Sequence, residues 1–166
     1  RNIPIFTFIN KMDREARDPF DLLDELEREF GINTYPMNWP IGCGQRFKGV
    51  YDREARQILS FDDAHRGREL IHGVKCEISD TEKLDELIGP YLREELVEQV
   101  ELLDGASCDF DLDEVRRGKL SPVFFGSALN NFGIEPFLEH FLKMTTSPLP
   151  RIAEDKEIDP FDDNFT

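Results

Sequence analysis

The sequence is poor in cysteine and in cationic charge, and it lacks any long apolar run. Its three Cys, Cys43, Cys76 and Cys108, are an odd number at wide spacing. They cannot build a full disulfide framework and fit a reducing compartment, so a cytoplasmic location is expected. Only 20 Lys and Arg stand against 35 Asp and Glu, a formal charge of −15 at pH 7. That balance repels phosphate at long range, which argues against direct DNA binding and favours basic proteins as partners. No stretch approaches the ~20 consecutive apolar residues that span a bilayer. No basic-then-apolar leader opens the chain either, so neither a membrane nor a secretory role is expected. What is present is a 39 % apolar content with 14 Phe among 166 residues. Buried aromatics of that number make a real core and exclude disorder over the whole length.

The chain begins at Arg1, without Met, and passes at once into Ile3-Pro4-Ile5-Phe6-Thr7-Phe8-Ile9, which reads as an internal segment of something longer. This run is rich in β-branched and aromatic residues and predicts a strand covered on both faces, as in a parallel sheet. Asp18-Pro19 then gives an N-cap and a first-turn proline, with Leu23, Leu26 and Phe30 at helical spacing up to Gly31. A second strand–loop–helix unit follows far downstream. Ser121–Phe125 leads into Gly126-Ser127-Ala128-Leu129, and Ile134, Phe137, Leu138, Phe141 and Leu142 then share a helical face. The two units predict neighbouring βα repeats of an α/β domain. Far more chain lies between them than one helix and its loops require.

The intervening residues 34–119 predict an inserted α+β subdomain. Short apolar pieces among turn residues, from Pro36 to Phe61, suggest antiparallel strands, with Leu70 to Ile78 as a further one. Ser79-Asp80-Thr81-Glu82 matches a capping box. Gly89-Pro90 breaks the helix, and Leu92, Leu96, Val100 and Leu103 stripe its continuation. Glu94, Glu95, Glu98 and Glu101 occupy the other face, as a solvated surface or as a face for a basic partner. Residues 1–33 and 120–147 make the α/β part. Residues 148–166, opened by Ser147-Pro148-Leu149-Pro150, read as an extended linker.

The sharpest chemical signal is Asn10-Lys11-Met12-Asp13 at the carboxyl end of a buried strand, the edge where open α/β sheets bind ligands. An ionised Asp is an acceptor with two oxygens, and guanine offers two adjacent donors, N1–H and the exocyclic amino group. Adenine lacks that pair, a mismatch that can be worth ~10⁴-fold in selectivity. Asn10 can bond the other edge of the base, and the Lys11 stem can lie over its ring. On the adjacent strand end, Ser127 can brace Asp13, and Ala128 can present its backbone N–H to the base carbonyl, with Leu129 closing the same loop.

These strings, together with Trp39-Pro40-Ile41-Gly42-Cys43-Gly44 and Phe47-Lys48-Gly49-Val50-Tyr51, resemble the GTP-binding domain of the bacterial peptide chain release factor three family of translational GTPases. The resemblance extends over residues 1 to about 151. The elongation factor G family is similar in architecture and shares the Asn-Lys-x-Asp-Arg and Gly-Ser-Ala pieces, which leaves a translocation GTPase as the alternative. A nucleotide-independent protein-interaction module is a second one. The resemblance implies a partial P-loop GTPase, Rossmann-like sheet carrying the inserted subdomain. It implies GTP or GDP as ligand with Mg²⁺, and an action at the ribosome that promotes recycling of the codon-reading, class I release factors. The ribosomal stalk protein is the implied neighbour of the inserted subdomain.

The sequence departs from that pattern in one large respect. It contains no G-x-x-x-x-G-K-[ST] string and no D-x-x-G element, the parts that position phosphates, Mg²⁺ and water for hydrolysis. No catalytic residue and no Mg²⁺ ligand is therefore assigned, and this chain alone is expected to be inactive. Asp109-Phe110-Asp111-Leu112-Asp113 starts like a calcium loop, but Glu114 stands where Gly is required and Leu120 where the closing Glu belongs. A helix-capping turn is expected there instead. His65, His72 and His140 do not combine with the Cys residues at zinc spacing.

Overall fold

The computed structural model describes residues 3–60, 74–106, 109–130, 132–145, 151–153 and 156–158. In chain order these form β1 (Thr7–Ile9), α1 (Pro19–Phe30), β2 (Asn33–Pro36), β3 (Asn38–Ile41), β4 (Gly49–Asp52), β5 (Gln57–Ser60) and β6 (Val74–Glu77). There follow α2 (Thr81–Leu87), α3 (Pro90–Ala106), α4 (Leu112–Arg116), β7 (Leu120–Phe125), α5 (Ile134–Met144), β8 (Arg151–Ala153) and β9 (Lys156–Ile158).

Two sheets organise the molecule. In the first, β7 runs parallel to both β1 and β2, in the order β1-β7-β2. As the middle strand, β7 is buried at every position, Leu120 through Phe125, which explains its continuous apolar sequence. The apolar run from Ile3 predicts a longer β1, but pairing covers only Thr7–Ile9. Ile3 and Ile5 are 54 % and 43 % exposed, and among the described residues β1 has a neighbouring strand, β7, on one side alone. Residues 33–36, which the sequence divides at the start of the insertion, belong to this sheet through the register Asn33↔Leu120 to Pro36↔Val123.

The helices beside this sheet start and stop where their caps dictate. Asp18 Oδ1 accepts from the Phe20 amide at 2.8 Å, Pro19 opens α1, and Gly31 at φ 65° closes it. Leu23 is buried and Leu26 half-buried. Phe30, on the last position of the helix, is 67 % exposed. On α5, Phe137 packs on Phe8 and Phe124 with ring centroids 5.3 Å and 5.1 Å away, and Phe141 meets Phe6 at 5.0 Å. Leu138 and Leu142, read from the sequence as part of the same stripe, are 49 % and 73 % exposed. Two aromatic rings already span the helix–sheet gap, which turns the Leu pair outward.

The second sheet is an antiparallel meander, β3-β4-β5-β6, in which Trp39 faces Tyr51 and Ile58 faces Cys76. Gly49 is required by close approach, since a Cβ there would lie 2.3 Å from the Leu59 carbonyl oxygen. Leu92, Leu96, Val100 and Leu103 of α3 form one core cluster with Trp39, Tyr51 and Ile58. The capping box expected over residues 79–82 is replaced by a simpler cap. Asp80 accepts from the Lys83 amide at 3.3 Å, and the Ser79 hydroxyl donates to Glu77. Asp is one position closer to the helix and outcompetes Ser. Of the strand expected over 70–78, residues 70–73 lie outside the described residues.

Several contacts join the sheets. The Met37 amide donates to the Val123 carbonyl at 2.8 Å, carrying the β2 ladder toward β3. Trp39 is fully buried, with ring centroids 4.6 Å from Phe20 and 5.4 Å from Phe125, and its Nε1 donates to Gln99 Oε1 at 2.8 Å. Arg53, in the β4–β5 turn, lies 4.6 Å over the Tyr35 ring and donates to the Pro36 carbonyl and to Asp104. Near the end, β8 and β9 pair antiparallel. Part of the stretch read as an extended linker is thus strand-paired, and strands of three residues are too brief to show a periodicity.

Candidate functional site

The loops that leave β1 and β7 at their carboxyl ends lie side by side because the ladder continues beyond the strands. The Gly126 amide donates to the Ile9 carbonyl at 3.0 Å, and the Met12 amide donates to the Gly126 carbonyl at 3.1 Å. Gly126 makes this approach possible. A Cβ there would lie 2.4 Å from the Phe132 carbonyl oxygen and 2.8 Å from the Phe8 ring. Met12 is buried between the loops at 1 % exposure, so its neighbours turn outward. Lys11 takes up the left-handed conformation, φ 70°, unusual for a residue with a side chain and characteristic of functional loops.

The polar groups of the two loops converge. Ser127 is fully buried, and its hydroxyl donates to Asp13 Oδ1 at 2.5 Å across 114 positions of sequence. Asp13 is half-buried, and its Oδ2 has no hydrogen-bond partner among the described residues. One carboxylate oxygen is thereby fixed while the other remains an acceptor, the arrangement that suits the paired donors of guanine. Asn10 Oδ1 accepts from the Lys11 amide at 2.7 Å and from the Ala128 amide at 2.9 Å. The Ala128 N–H, expected to face a base carbonyl, is in this structure donated to Asn10. Lys11 and Ala128 are exposed, and Leu129 is 78 % exposed at the rim.

Four further residues shape the site without having been assigned a base contact from the sequence. They are Met12, Gly126, Phe132, which exchanges both backbone hydrogen bonds with Ser127 at 3.0 Å and 2.8 Å, and Gly44, whose amide donates to the Met12 carbonyl at 3.0 Å. Gly126 carried a local signal, a glycine directly after an all-apolar strand; Gly44 and Phe132 carried none, since their contacts are long-range.

The acidic positions lie elsewhere. Glu94, Glu98 and Glu101 are exposed on α3, Glu95 is half-buried, and Glu94 is 3.5 Å from Arg93. Asp111 caps α4, accepting from the Asp113 amide at 2.8 Å, as expected for the acidic turn. His140 lies 3.4 Å from Glu54 and beside the Phe124 ring, while His65 and His72 fall outside the described residues. Among the described residues no group of three or more His, Cys, Asp or Glu is placed to hold a metal ion. No described helix is long and apolar enough to cross a membrane.

The chain is similar to known proteins over most of its length. Residues 1–147 match the model of the elongation factor Tu GTP binding domain. The chain is 48 % identical over 166 residues to a peptide chain release factor 3 of Symbiobacterium thermophilum, covering 100 % of this chain and 31 % of that protein. It is 46 % identical over 160 residues to the protein of that name from Trichormus variabilis, covering 96 % of this chain and 29 % of the relative. The chain therefore spans about a third of the length of these relatives. A solved structure from Thermus thermophilus shares the fold at a TM-score of 0.56 and 22 % identity, over 89 % of this chain and 23 % of that one.

Proposed function

Since this chain belongs to the elongation factor Tu GTP binding domain family, we propose that it is the guanine-recognition part of a translational GTPase that acts in termination. Its role there is to read GTP and GDP by their base. The bond from the Ser127 hydroxyl to Asp13 Oδ1 carries this reading, because it joins two motifs distant in sequence into one acceptor site. Asp13 Oδ2 and the same carboxylate's outer lone pairs meet the base N1–H and 2-amino group. Lys11 lays its stem along the ring, Asn10 and the Ala128 amide serve the base's other edge, and Leu129 borders the loop. The residues present fit the base; phosphate and Mg²⁺ chemistry belongs to a phosphate loop, for which this sequence carries no motif.

The relatives' name, peptide chain release factor 3, supports a part in termination; on this reading the whole protein works on the ribosome and recycles class I, codon-reading release factors. The exposed acids Glu94, Glu98 and Glu101, with Glu95 beside them, form the face of the antiparallel unit for a basic patch on the stalk protein. Reversing Glu94, Glu95 and Glu98 to Lys should weaken stalk binding and leave nucleotide affinity unchanged; equal stalk binding would remove this face from the interaction.

The base reading is tested in a chimera in which these 166 residues replace the matching segment of the Symbiobacterium relative. Asp13→Asn replaces an acceptor by a group that also donates, and xanthine carries a carbonyl where guanine carries the amino group. Competition should show preference moving from GTP toward xanthosine triphosphate. An unchanged preference for GTP would take Asp13 out of the site.

A further inference from the structure

The turn between β3 and β4 reaches both loops of the site. The Gly44 amide donates to the Met12 carbonyl, one residue before Asp13, at 3.0 Å. Three residues on, the Phe47 ring packs on Phe132 with centroids 4.8 Å apart and planes at 53°. Phe132 in turn exchanges both backbone hydrogen bonds with Ser127, the residue that holds Asp13. The turn is itself stiff. Arg46 and Phe47 donate back to Cys43 and Gly44 at 3.1 Å and 3.2 Å, and the Lys48 amide closes the hairpin on Ile41 at 2.9 Å. Gly42 and Gly44 stand at φ 71° and 60°, and a Cβ on Gly42 would lie 2.4 Å from the Arg46 carbonyl oxygen. The left-handed conformations that shape the turn are thus reserved for glycine.

We infer that the Gly44–Phe47 turn of the antiparallel sheet is a positioning element for guanine selectivity. It braces the Asp13 loop through Gly44 and the Ser127 loop through Phe47, holding carboxylate and hydroxyl in register. Phe47 is a positioning residue and touches no nucleotide itself. The inference rests on the base reading proposed above, and its consequence is specific. Guanine engages Asp13 through two donors and hypoxanthine through one, so loss of register weakens GDP more than IDP. A residue that only stabilises the fold would weaken both alike.

The test uses the same chimera and measures GDP and IDP dissociation constants for the unaltered protein, Phe47→Ala and Phe47→Leu. Phe47→Ala should narrow the ratio of IDP to GDP dissociation constants by roughly 3- to 10-fold, the scale of a lost aromatic pair. Phe47→Leu keeps apolar volume and should narrow it by a smaller factor, which decides the matter should Phe47→Ala not fold. An undiminished ratio in the folded variants overturns the positioning role and leaves the base reading intact. An unaltered chimera that binds GDP and IDP equally, or binds neither, overturns the base reading itself.

Discussion

Asn38 pairs with Phe125 as a strand would: its Nδ2 donates to the Phe125 carbonyl at 3.0 Å, and its Oδ1 accepts the Phe125 amide at 2.7 Å. One side chain thereby takes the hydrogen bonds that β7 would otherwise offer to a neighbour just before the Gly126–Ser127 loop. It does so in the core, where Asn38 is only 5 % exposed. Because Asn38 opens β3, the same residue joins the parallel sheet to the antiparallel one.

Replacing Asn38 by Ala leaves a buried donor and a buried acceptor of Phe125 without partners. Each such orphan costs ~1–3 kcal/mol, so Asn38→Ala should lower the unfolding free energy by roughly 2–6 kcal/mol in urea titration. Asn38→Asp retains the acceptor alone and should cost at least as much at neutral pH, since it adds a buried charge. A loss below ~0.5 kcal/mol for Asn38→Ala would show that water replaces the side chain.

Trp39 is the single tryptophan, and its fluorescence reports the place where α1, β7 and α3 meet. Phe20→Ala removes the ring tilted against Trp39 at 4.6 Å and should cost ~3–4 kcal/mol through the cavity it leaves. It should also shift the Trp39 emission to the red as water gains access. Gln99→Ala removes the acceptor of the indole N–H and should cost ~1–2 kcal/mol with a smaller spectral change. Equal destabilisation by the two would contradict the view that packing, more than the hydrogen bond, fixes Trp39.

The candidate site was legible where chemistry is local and the fold where patterns are long. Asn10, Lys11, Asp13, Ser127 and Ala128 could be named because Asp pairs with guanine's donors and the two strings end strand-like runs. The structure brings Asp13 to Ser127 and Asn10 to Ala128. Strand lengths at the open edge were not legible, since the sequence of Ile3–Ile9 does not say which neighbour is present. Gly44 and Phe47 reach the loops only through long-range contacts, a backbone hydrogen bond and a ring pair, and no spacing rule connects position 44 to position 12. Asp80 capping α2 instead of Ser79 shows the usual limit at helix ends, where competing side chains differ by a few tenths of a kcal/mol.

Burial holds the Tyr51 hydroxyl above its ordinary pKa, the nearby Arg56 opposing the shift only in part. Tyrosine is neutral when protonated, so the unfolded chain loses this proton near its ordinary value of about 10 while the folded chain retains it. The contribution is fully present below that pH and is lost as pH rises through the folded pKa. Unfolding free energy should therefore fall above pH 10, and Tyr51→Phe, which has no proton to lose, should flatten the fall. Cys76 is shifted in the same direction, again chiefly by burial, so Cys76→Ala is measured beside it. An alkaline limb of identical slope in the chain and in Tyr51→Phe would assign the loss to other groups.

The last prediction concerns the hydroxyl that fixes Asp13. Ser127→Ala removes a hydrogen bond to a carboxylate, a class worth ~1.5–3 kcal/mol, and leaves Asp13 Oδ1 without its partner among the described residues. Ser127 has no exposure to solvent, so a small apolar replacement fits the space, and its backbone pairing with Phe132 survives. The effect should therefore fall on carboxylate orientation more than on the fold. In the chimera, GDP should bind about 10-fold more weakly, which corresponds to ~1.4 kcal/mol. Ser127→Thr offers a hydroxyl again but adds a methyl to a filled site, so it should recover binding only in part. If Ser127→Ala binds GDP as the unaltered chimera does, the hydroxyl is a structural plug for the loop, and the selectivity of Asp13 rests on its backbone placement alone.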